Sequence, residues 1–190
     1  DMMNEFDKET QKRLRIVYHD LRAEVNQMLS ADLGQFEYII HMAASSHVDR
    51  SIEDPMTFVL DNVVATCNIL NFGRKQKNLE RFIYFSTDEV YGDITNGEHV
   101  ESDILKPSNP YSATKAAADQ LILAWARTYK INYVIVRPTN NYGIGQYVEK
   151  LIPKACKSLT LGRRIPLHNQ GTPFRNWLHA KDTASGVVKI

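Results

Sequence analysis

A chain of 190 residues, 43% of them hydrophobic, is long enough for one domain with a buried core. Its 23 Lys and Arg against 22 Asp and Glu leave a formal net charge of +1 with the signs mixed throughout, so neither a nucleic-acid tract nor an acidic tail is indicated. No apolar run approaches the roughly 20 residues of a membrane span, the charged start (residues 1–9) reads as no signal peptide, and Cys67 and Cys156 suit a reduced, cytoplasmic protein better than a disulfide framework.

Residues 1–12 show no clear period and read as loop. Leu14-Arg15-Ile16-Val17-Tyr18 reads as a strand; after Asp20, Leu21, Val25, Met28 and Leu29 recur at helical spacing. Tyr38-Ile39-Ile40-His41-Met42 is a second strand, apolar enough to be covered on both faces. Ala43-Ala44-Ser45-Ser46 is a small-residue loop. Asp54-Pro55 starts a helix, with Asp as N-cap and Pro at the first helical position, and it runs to about Lys75. Residues 81–85 form a β-branched and aromatic strand, followed by a long loop over 86–108. Ser108-Asn109-Pro110 opens a second long helix through Trp125. Residues 131–137 are the fourth strand, stopped by Pro138. A helix over 149–159 contains Pro153, which predicts a late start or a kink. Residues 165–168 and 174–178 are short extended pieces, and Asp182 caps a last helix.

Strand and helix alternate, which predicts an α/β fold with a doubly wound, mostly parallel sheet and helices on both faces. In such sheets ligands bind beyond the carboxyl ends of the strands. The strand at 81–85 runs straight into Ser86-Thr87-Asp88-Glu89-Val90-Tyr91-Gly92, placing a hydroxyl and two carboxylates at that edge. Tyr111-Ser112-Ala113-Thr114-Lys115 opens the next helix, so Tyr111 and Lys115, four apart, share one face. All five groups can converge on one cleft. The bland alternatives are an exposed helix start and an Asp-Glu pair that merely caps a turn.

Ser86-Thr87-Asp88-Glu89-Val90-Tyr91-Gly92 with Tyr-x-x-x-Lys resembles the extended short-chain dehydrogenase/reductases, the NAD-dependent epimerases and dehydratases of Rossmann-like fold. It is most similar to the dTDP-glucose 4,6-dehydratases, from about Arg13 to the last residue. The resemblance implies NAD as cofactor and a nucleotide-diphosphate hexose as substrate. Tyr111, helped by Lys115, would take the proton from the C4 hydroxyl as hydride leaves that carbon, with Thr87 on the C4 oxygen. Oxidation acidifies the C5 hydrogen. Glu89 would remove it as base and Asp88 would protonate the departing C6 hydroxyl as acid, two neighbouring carboxyls dividing the roles. Hydride then returns to C6.

The resemblance also implies cofactor contacts at Asp20 and Leu21 for adenine, along Met42, Ala43, Ala44, Ser45 and Ser46, and at Tyr111, Lys115 and Asn141. Substrate contacts fall on Ser46, Thr87, Asn140, Lys150, Leu151, Pro166, Leu167, His168 and Arg175. Arg suits a phosphate because its planar fork binds two oxygens. His47-Val48-Asp49-Arg50-Ser51-Ile52 matches the family, with its charges expected to be structural. Asp61 stands where the family commonly has a hydroxyl residue, and His168 replaces a common tyrosine, which leaves the nucleotide base open. His41, His99 and His179 have no ligand-like spacing, so no metal is expected. The two long helices, apolar at Val59, Leu60, Val63 and Val64 and at Leu121, Ile122 and Leu123, each have a second face to bury, under another part of the same chain or against a partner subunit; the resemblance implies a homodimer through them.

One expected feature is missing. A dinucleotide fold opens strand, Gly-rich turn, helix, and the nine glycines supply no such turn. Residues 1–148 therefore read as a partial NAD-binding Rossmann-like domain lacking its first strand-helix-strand, and residues 149–190 as the start of a sugar-nucleotide-binding region. The whole reads as an internal portion of a longer enzyme, or as a short form without its pyrophosphate grip. Alternative functions are a sugar-nucleotide epimerase or decarboxylase of the same fold, and a non-catalytic dimerising or binding module.

Overall fold

The computed structural model describes residues 6–94, 96–165, 167, 171–172 and 174–190. Pro166 and His168 lie outside the described residues.

The start is helical where a loop is predicted. Helix α1 (Lys8–Arg13) forms because the Asp7 carboxylate caps the N–H groups of Glu9 and Thr10, both at 2.9 Å. Residues 14–18 are no strand, since no described strand joins them in a ladder. Apolar and β-branched residues mark a surface to bury; a ladder needs a neighbour. The helix predicted after Asp20 begins later, as α2 (Gln27–Leu33), where the Asn26 side chain caps Leu29. Residues 20–23 turn instead, the Ala23 N–H donating to the Asp20 carbonyl at 2.9 Å.

Three parallel strands carry the site in the order β1 (Tyr38–His41), β2 (Arg81–Phe85), β3 (Tyr133–Val136). The register pairs Ile39 with Phe82 and His41 with Tyr84, so these four side chains share one face. The long helices cover that face. Leu70, Phe82, Tyr84, Ala118, Ile122 and Ile131 form its core. The buried Leu, Phe and Ile side chains each contribute roughly 1.5–3 kcal/mol. The opposite face of β1 is open, with Tyr38 and Ile40 about half exposed. The predicted coverage of β1 on both sides is thus corrected: both long helices lie on the Ile39 side.

The first long helix starts where predicted. After the short helix α3 (Val48–Glu53), the Asp54 carboxylate accepts from the Thr57 N–H and Pro55 sits in the first turn of α4 (Pro55–Phe58). A π-helical segment, Val59–Val64, then interrupts the ladder before α5 (Ala65–Gly73). Helix α6 (Pro110–Tyr129) opens with a capping box between Asn109 and Ser112 and ends at Lys130, a left-handed residue. Between β2 and α6, the tip of β2 curls into a 3-10 turn, Asp88–Tyr91.

A second, two-stranded parallel sheet joins β4 (Asn140–Tyr142) to β5 (Trp177–His179). Helix α7 (Leu151–Thr160) begins late, with Pro153 in its first turn. Helix α8 (Ala180–Val188) is capped by His179, whose Nδ1 accepts from the Lys181 N–H at 3.2 Å, and not by Asp182, which falls in the first turn. No helix among the described residues is long and apolar enough to cross a membrane.

Candidate functional site

The site is built where β2 ends and α6 begins. Thr87 is extended, and its hydroxyl caps the turn by accepting the Glu89 N–H at 3.3 Å. The same hydroxyl lies 3.3 Å from Asp88 Oδ1. The Asp88 N–H donates to the Pro138 carbonyl at 3.2 Å, fixing the turn against the end of β3. Asn109, the cap of α6, donates from Nδ2 to Glu89 Oε2 at 3.4 Å. One residue therefore serves both the helix that carries the phenol and the carboxylate beside it.

Tyr111 and Lys115 are buried one turn apart on α6. The Tyr111 N–H donates to Ser51 Oγ at 3.2 Å, and its ring meets Phe58 edge-on. Burial pushes the phenol up to about 12, with the charges of Glu89 and Asp88 adding to the rise and a Thr87 hydrogen bond opposing it. The acid pair, the threonine and the phenol therefore share one neighbourhood. Lys115 Nζ donates to the Phe85 carbonyl at 2.6 Å and sits 4.2 Å from the centre of the Tyr84 ring. Burial lowers its ammonium to about 8, against the opposing pull of Asp119.

Two clefts flank the small-residue loop that follows β1. One, of about 250 Å³, is lined by Asp20, Leu21, Arg22, Ala43, Ala44, Ser45, Asp61 and Ala65. Asp20 is not free there: Arg22 Nε and Nη2 clasp its carboxylate at 2.8–3.0 Å, and this contact holds the carboxyl down at about 2. Ser45 donates to Asp61 at 2.6 Å. The other cleft, of about 460 Å³, runs past Ser46, His47, Arg50 and Phe58 to Glu149. Lys150 Nζ donates to the carbonyl and hydroxyl of Ser46 at 3.2 and 3.4 Å, and Glu149 pairs with Arg50 at 3.3 Å.

The remaining sequence-predicted residues are more scattered. Asn140 and Asn141 lie in β4; the Asn141 side chain is engaged by Thr139 and Thr183. Met42, Leu151 and Leu167 are exposed. Arg175 is exposed and donates to its neighbour's carbonyl at Phe174 at 2.8 Å. Among the described residues no group of three His, Cys, Asp or Glu is placed to hold a metal ion.

A family model described as the NAD dependent epimerase/dehydratase family matches residues 3–190. The chain belongs to that family. It is 38% identical over 180 residues to the dTDP-glucose 4,6-dehydratase of Mycobacterium tuberculosis strain CDC 1551 / Oshkosh, covering 93% of this chain and 53% of that protein. With the Streptomyces niveus dTDP-glucose 4,6-dehydratase it shares 44% over 152 residues, 80% of this chain and 45% of the other. Among solved structures, DesIV, a dTDP-glucose 4,6-dehydratase from Streptomyces venezuelae with NAD and TYD bound, superposes with a TM-score of 0.88 at 39% identity, covering 95% of this chain and 55% of that one. The chain thus spans about half the length of the curated relatives it matches.

Within this NAD dependent epimerase/dehydratase family member, sequence reasoning missed the residue that joins the cofactor-loop candidates to α6. Asn62, fully buried in the π segment, accepts the Ser45 N–H at 2.8 Å and donates to the Ser45 carbonyl and to Thr114 Oγ1 at 3.0 and 2.9 Å. Thr114 in turn donates to the Tyr111 carbonyl at 2.7 Å. A polar side chain inside an apolar helical run was the available signal. Ser51, under the Tyr111 N–H, had only its match to the family to mark it.

The family's dinucleotide can be tested against these residues. Ala43, Ala44 and Ser45 leave the carboxyl end of β1 open to close backbone approach, and the buried Ser86 hydroxyl, whose neighbour is Asp119, makes no hydrogen bond of good geometry among the described residues. Those features fit the adenosine side and the reacting end of such a ligand. A Gly-rich turn for its diphosphate is not found in this sequence.

Proposed function

We propose that Thr87, Asp88, Glu89, Tyr111 and Lys115 are the centre of a sugar-nucleotide 4,6-dehydratase that uses NAD and acts on dTDP-glucose. The observation that carries this reading is that Asn109, which caps the helix carrying Tyr111 and Lys115, also donates to Glu89 Oε2 at 3.4 Å and so joins the acid pair to that helix. A simple alcohol oxidation needs the Tyr-Lys pair alone; an adjoining acid and base suit removal of water.

Bound NAD supplies the hydride acceptor for C4 and the hydride donor for C6. Asp20, Leu21, Met42–Ser46 and Asn141 would hold it, beside Tyr111 and Lys115. The chain's own groups do the rest. Tyr111 takes the C4 proton, its phenolate favoured over the bare state by positive charge brought beside it. Lys115, fixed by the Phe85 carbonyl, keeps an ammonium one turn from the phenol. Thr87 holds the C4 oxygen, Glu89 removes the C5 proton and Asp88 returns one to the leaving hydroxyl. Ser46, Asn140, Lys150, Leu151, Leu167 and Arg175 would bind the substrate, with Pro166 and His168 beyond the described residues. Residues 1–148 serve the cofactor and 149–190 begin the substrate side. Half-exposed Leu60 and Leu123 support a homodimer through the long helices, and two free cysteines a cytoplasmic setting.

The test is the product. Incubation of the protein with NAD and dTDP-glucose should give a 4-keto-6-deoxy sugar nucleotide with loss of water. Inversion at C4 without dehydration would replace this reading with the epimerase one, favoured by the fold similarity at 27% identity and TM-score 0.82 to the UDP-glucuronic acid 4-epimerase from Bacillus cereus. Failure to bind NAD at all would leave a binding module.

A further inference from the structure

Behind the Tyr111–Lys115 pair lies a buried polar network that the proposed chemistry does not use. Asp119 is fully buried, one turn beyond Lys115 on the same face of α6. Arg137, at the end of β3, donates from Nε to Asp119 Oδ2 at 3.0 Å. Its Nη1 donates to the Tyr91 hydroxyl at 2.6 Å and to the Glu101 carbonyl at 3.3 Å, and its guanidinium lies over the Tyr91 ring at 5.0 Å. Tyr91 is the last residue of the turn that carries Asp88 and Glu89. Asp119 Oδ1 has no partner of good hydrogen-bond geometry among the described residues. A fully buried carboxylate with an idle oxygen is costly, and an apolar residue would pack there at less expense.

We propose that Asp119, held by Arg137, is a positioning residue: its buried carboxylate keeps the Lys115 side chain an ammonium aimed at the Phe85 carbonyl, while Arg137 locks the Asp88–Glu89 turn to the same helix. The proposal rests on the reading of Tyr111 and Lys115 as the proton-handling pair. Neither Asp119 nor Arg137 touches a reacting atom.

The surroundings of Lys115 leave Asp119 as its source of negative charge. From β1 comes His41, kept neutral by burial and by Lys115 itself, with its ring nitrogen on Thr66 Oγ1 at 3.0 Å. From β2 comes the Tyr84 ring, its phenol raised by burial and by Asp119. From α6 itself come Tyr111, neutral in this state, and Asp119. From β3 comes Arg137, whose charge is spent on Asp119. Burial favours a protonated Asp119; Arg137, Lys115 and the nearby Ser86 hydroxyl oppose that. Loss of either member of the Asp119–Arg137 pair therefore removes negative charge from beside Lys115, and the ammonium gives up its proton at lower pH.

The experiment is an NMR titration of the Lys115 side chain in the protein without dinucleotide, for the wild type, Asp119→Asn, Asp119→Glu and Arg137→Met. Hydride transfer to bound NAD is followed across the same pH range. Asp119→Asn and Arg137→Met should each move the Lys115 midpoint down by about one pH unit. The alkaline limb of hydride transfer should move with it, and Asp119→Glu should restore both in part. An unmoved midpoint in the folded variants, with rates reduced equally at all pH values, overturns the proposal and leaves a packing role. Two independent variants guard against one failing to fold. Product identity judges the dehydratase reading, and the titration does not depend on which product forms.

Discussion

Lys115 Nζ donates to the main-chain carbonyl of Phe85 at 2.6 Å, so a charge on α6 is anchored to the strand whose next residues are Ser86, Thr87, Asp88 and Glu89. Helix and strand tip are thereby held in one register. The arrangement is expensive, because the ammonium is nearly buried and its proton affinity is lowered to about 8 from an ordinary 10.5.

Replacement Lys115→Met should therefore stabilise the fold while removing activity. The folded-state value is depressed, so the penalty of the buried charge is complete below pH 8 and disappears as pH rises towards the unfolded value. At pH 7 the relief is about 3 kcal/mol, less about 1 kcal/mol for the Phe85 carbonyl left without its donor. Chemical denaturation at pH 7 and pH 10 should show a gain at the first and little at the second. Turnover should fall by roughly 10²–10⁴-fold.

His41 gives stability a pH dependence of its own. Burial, then the Lys115 charge, lowers it to about 4 from 6.5. A depressed value means stability that is complete above pH 6.5 and lost as pH falls towards 4, about 3 kcal/mol over that window. Asn at this position should flatten that part of the pH–stability curve, as measured by urea unfolding midpoints.

Gly92 closes the carboxylate turn with φ +85°, and a Cβ there would collide with the Lys106 carbonyl oxygen. Gly92→Ala should cost at least about 2 kcal/mol, from the left-handed backbone and the displaced loop together. Because the turn carries Asp88 and Glu89, dehydration should fall more steeply than NAD affinity. Equilibrium unfolding and dinucleotide titration separate the two.

Asn62→Leu keeps the volume and removes the amide. The N–H and carbonyl of Ser45 and the Thr114 hydroxyl each lose a partner, for a cost of about 3 kcal/mol. Calorimetric titration with NAD should show weaker binding, since the loop over Ala43–Ser46 loses its tether.

The parts of this site that the sequence makes legible are local. The Thr87-Asp88-Glu89 tip follows from a strand of five residues, and the Tyr111–Lys115 pairing from helical spacing. The Asp54-Pro55 and Asn109-Pro110 helix starts follow from capping chemistry, and all stand as predicted. Residues 14–18 misled because a β-branched, apolar run gives a strand's propensity and says nothing of its neighbour. Asp119 was readable as the next step of the Tyr111–Lys115 spacing, but its partner Arg137 is 18 positions away and meets it only through the fold. The π segment leaves no compositional trace, since it differs from an α-helix by which carbonyl each N–H chooses.

That segment has one further consequence. Its wider turn holds one more residue than an ordinary helix would need over the same rise, and this surplus aims Asn62 at Ser45 while Phe58 and Leu70 on either side still face inward. Removing a single residue between positions 59 and 64 would let the ladder heal into regular α-helix with the turns on either side still in register, because the wide turn already absorbs the surplus. Thr66 and Leu70 would keep facing the sheet, and only the aim of Asn62 at Ser45 would be lost. The extra residue of this short stretch accordingly serves the amide and its tether, not the packing on either side.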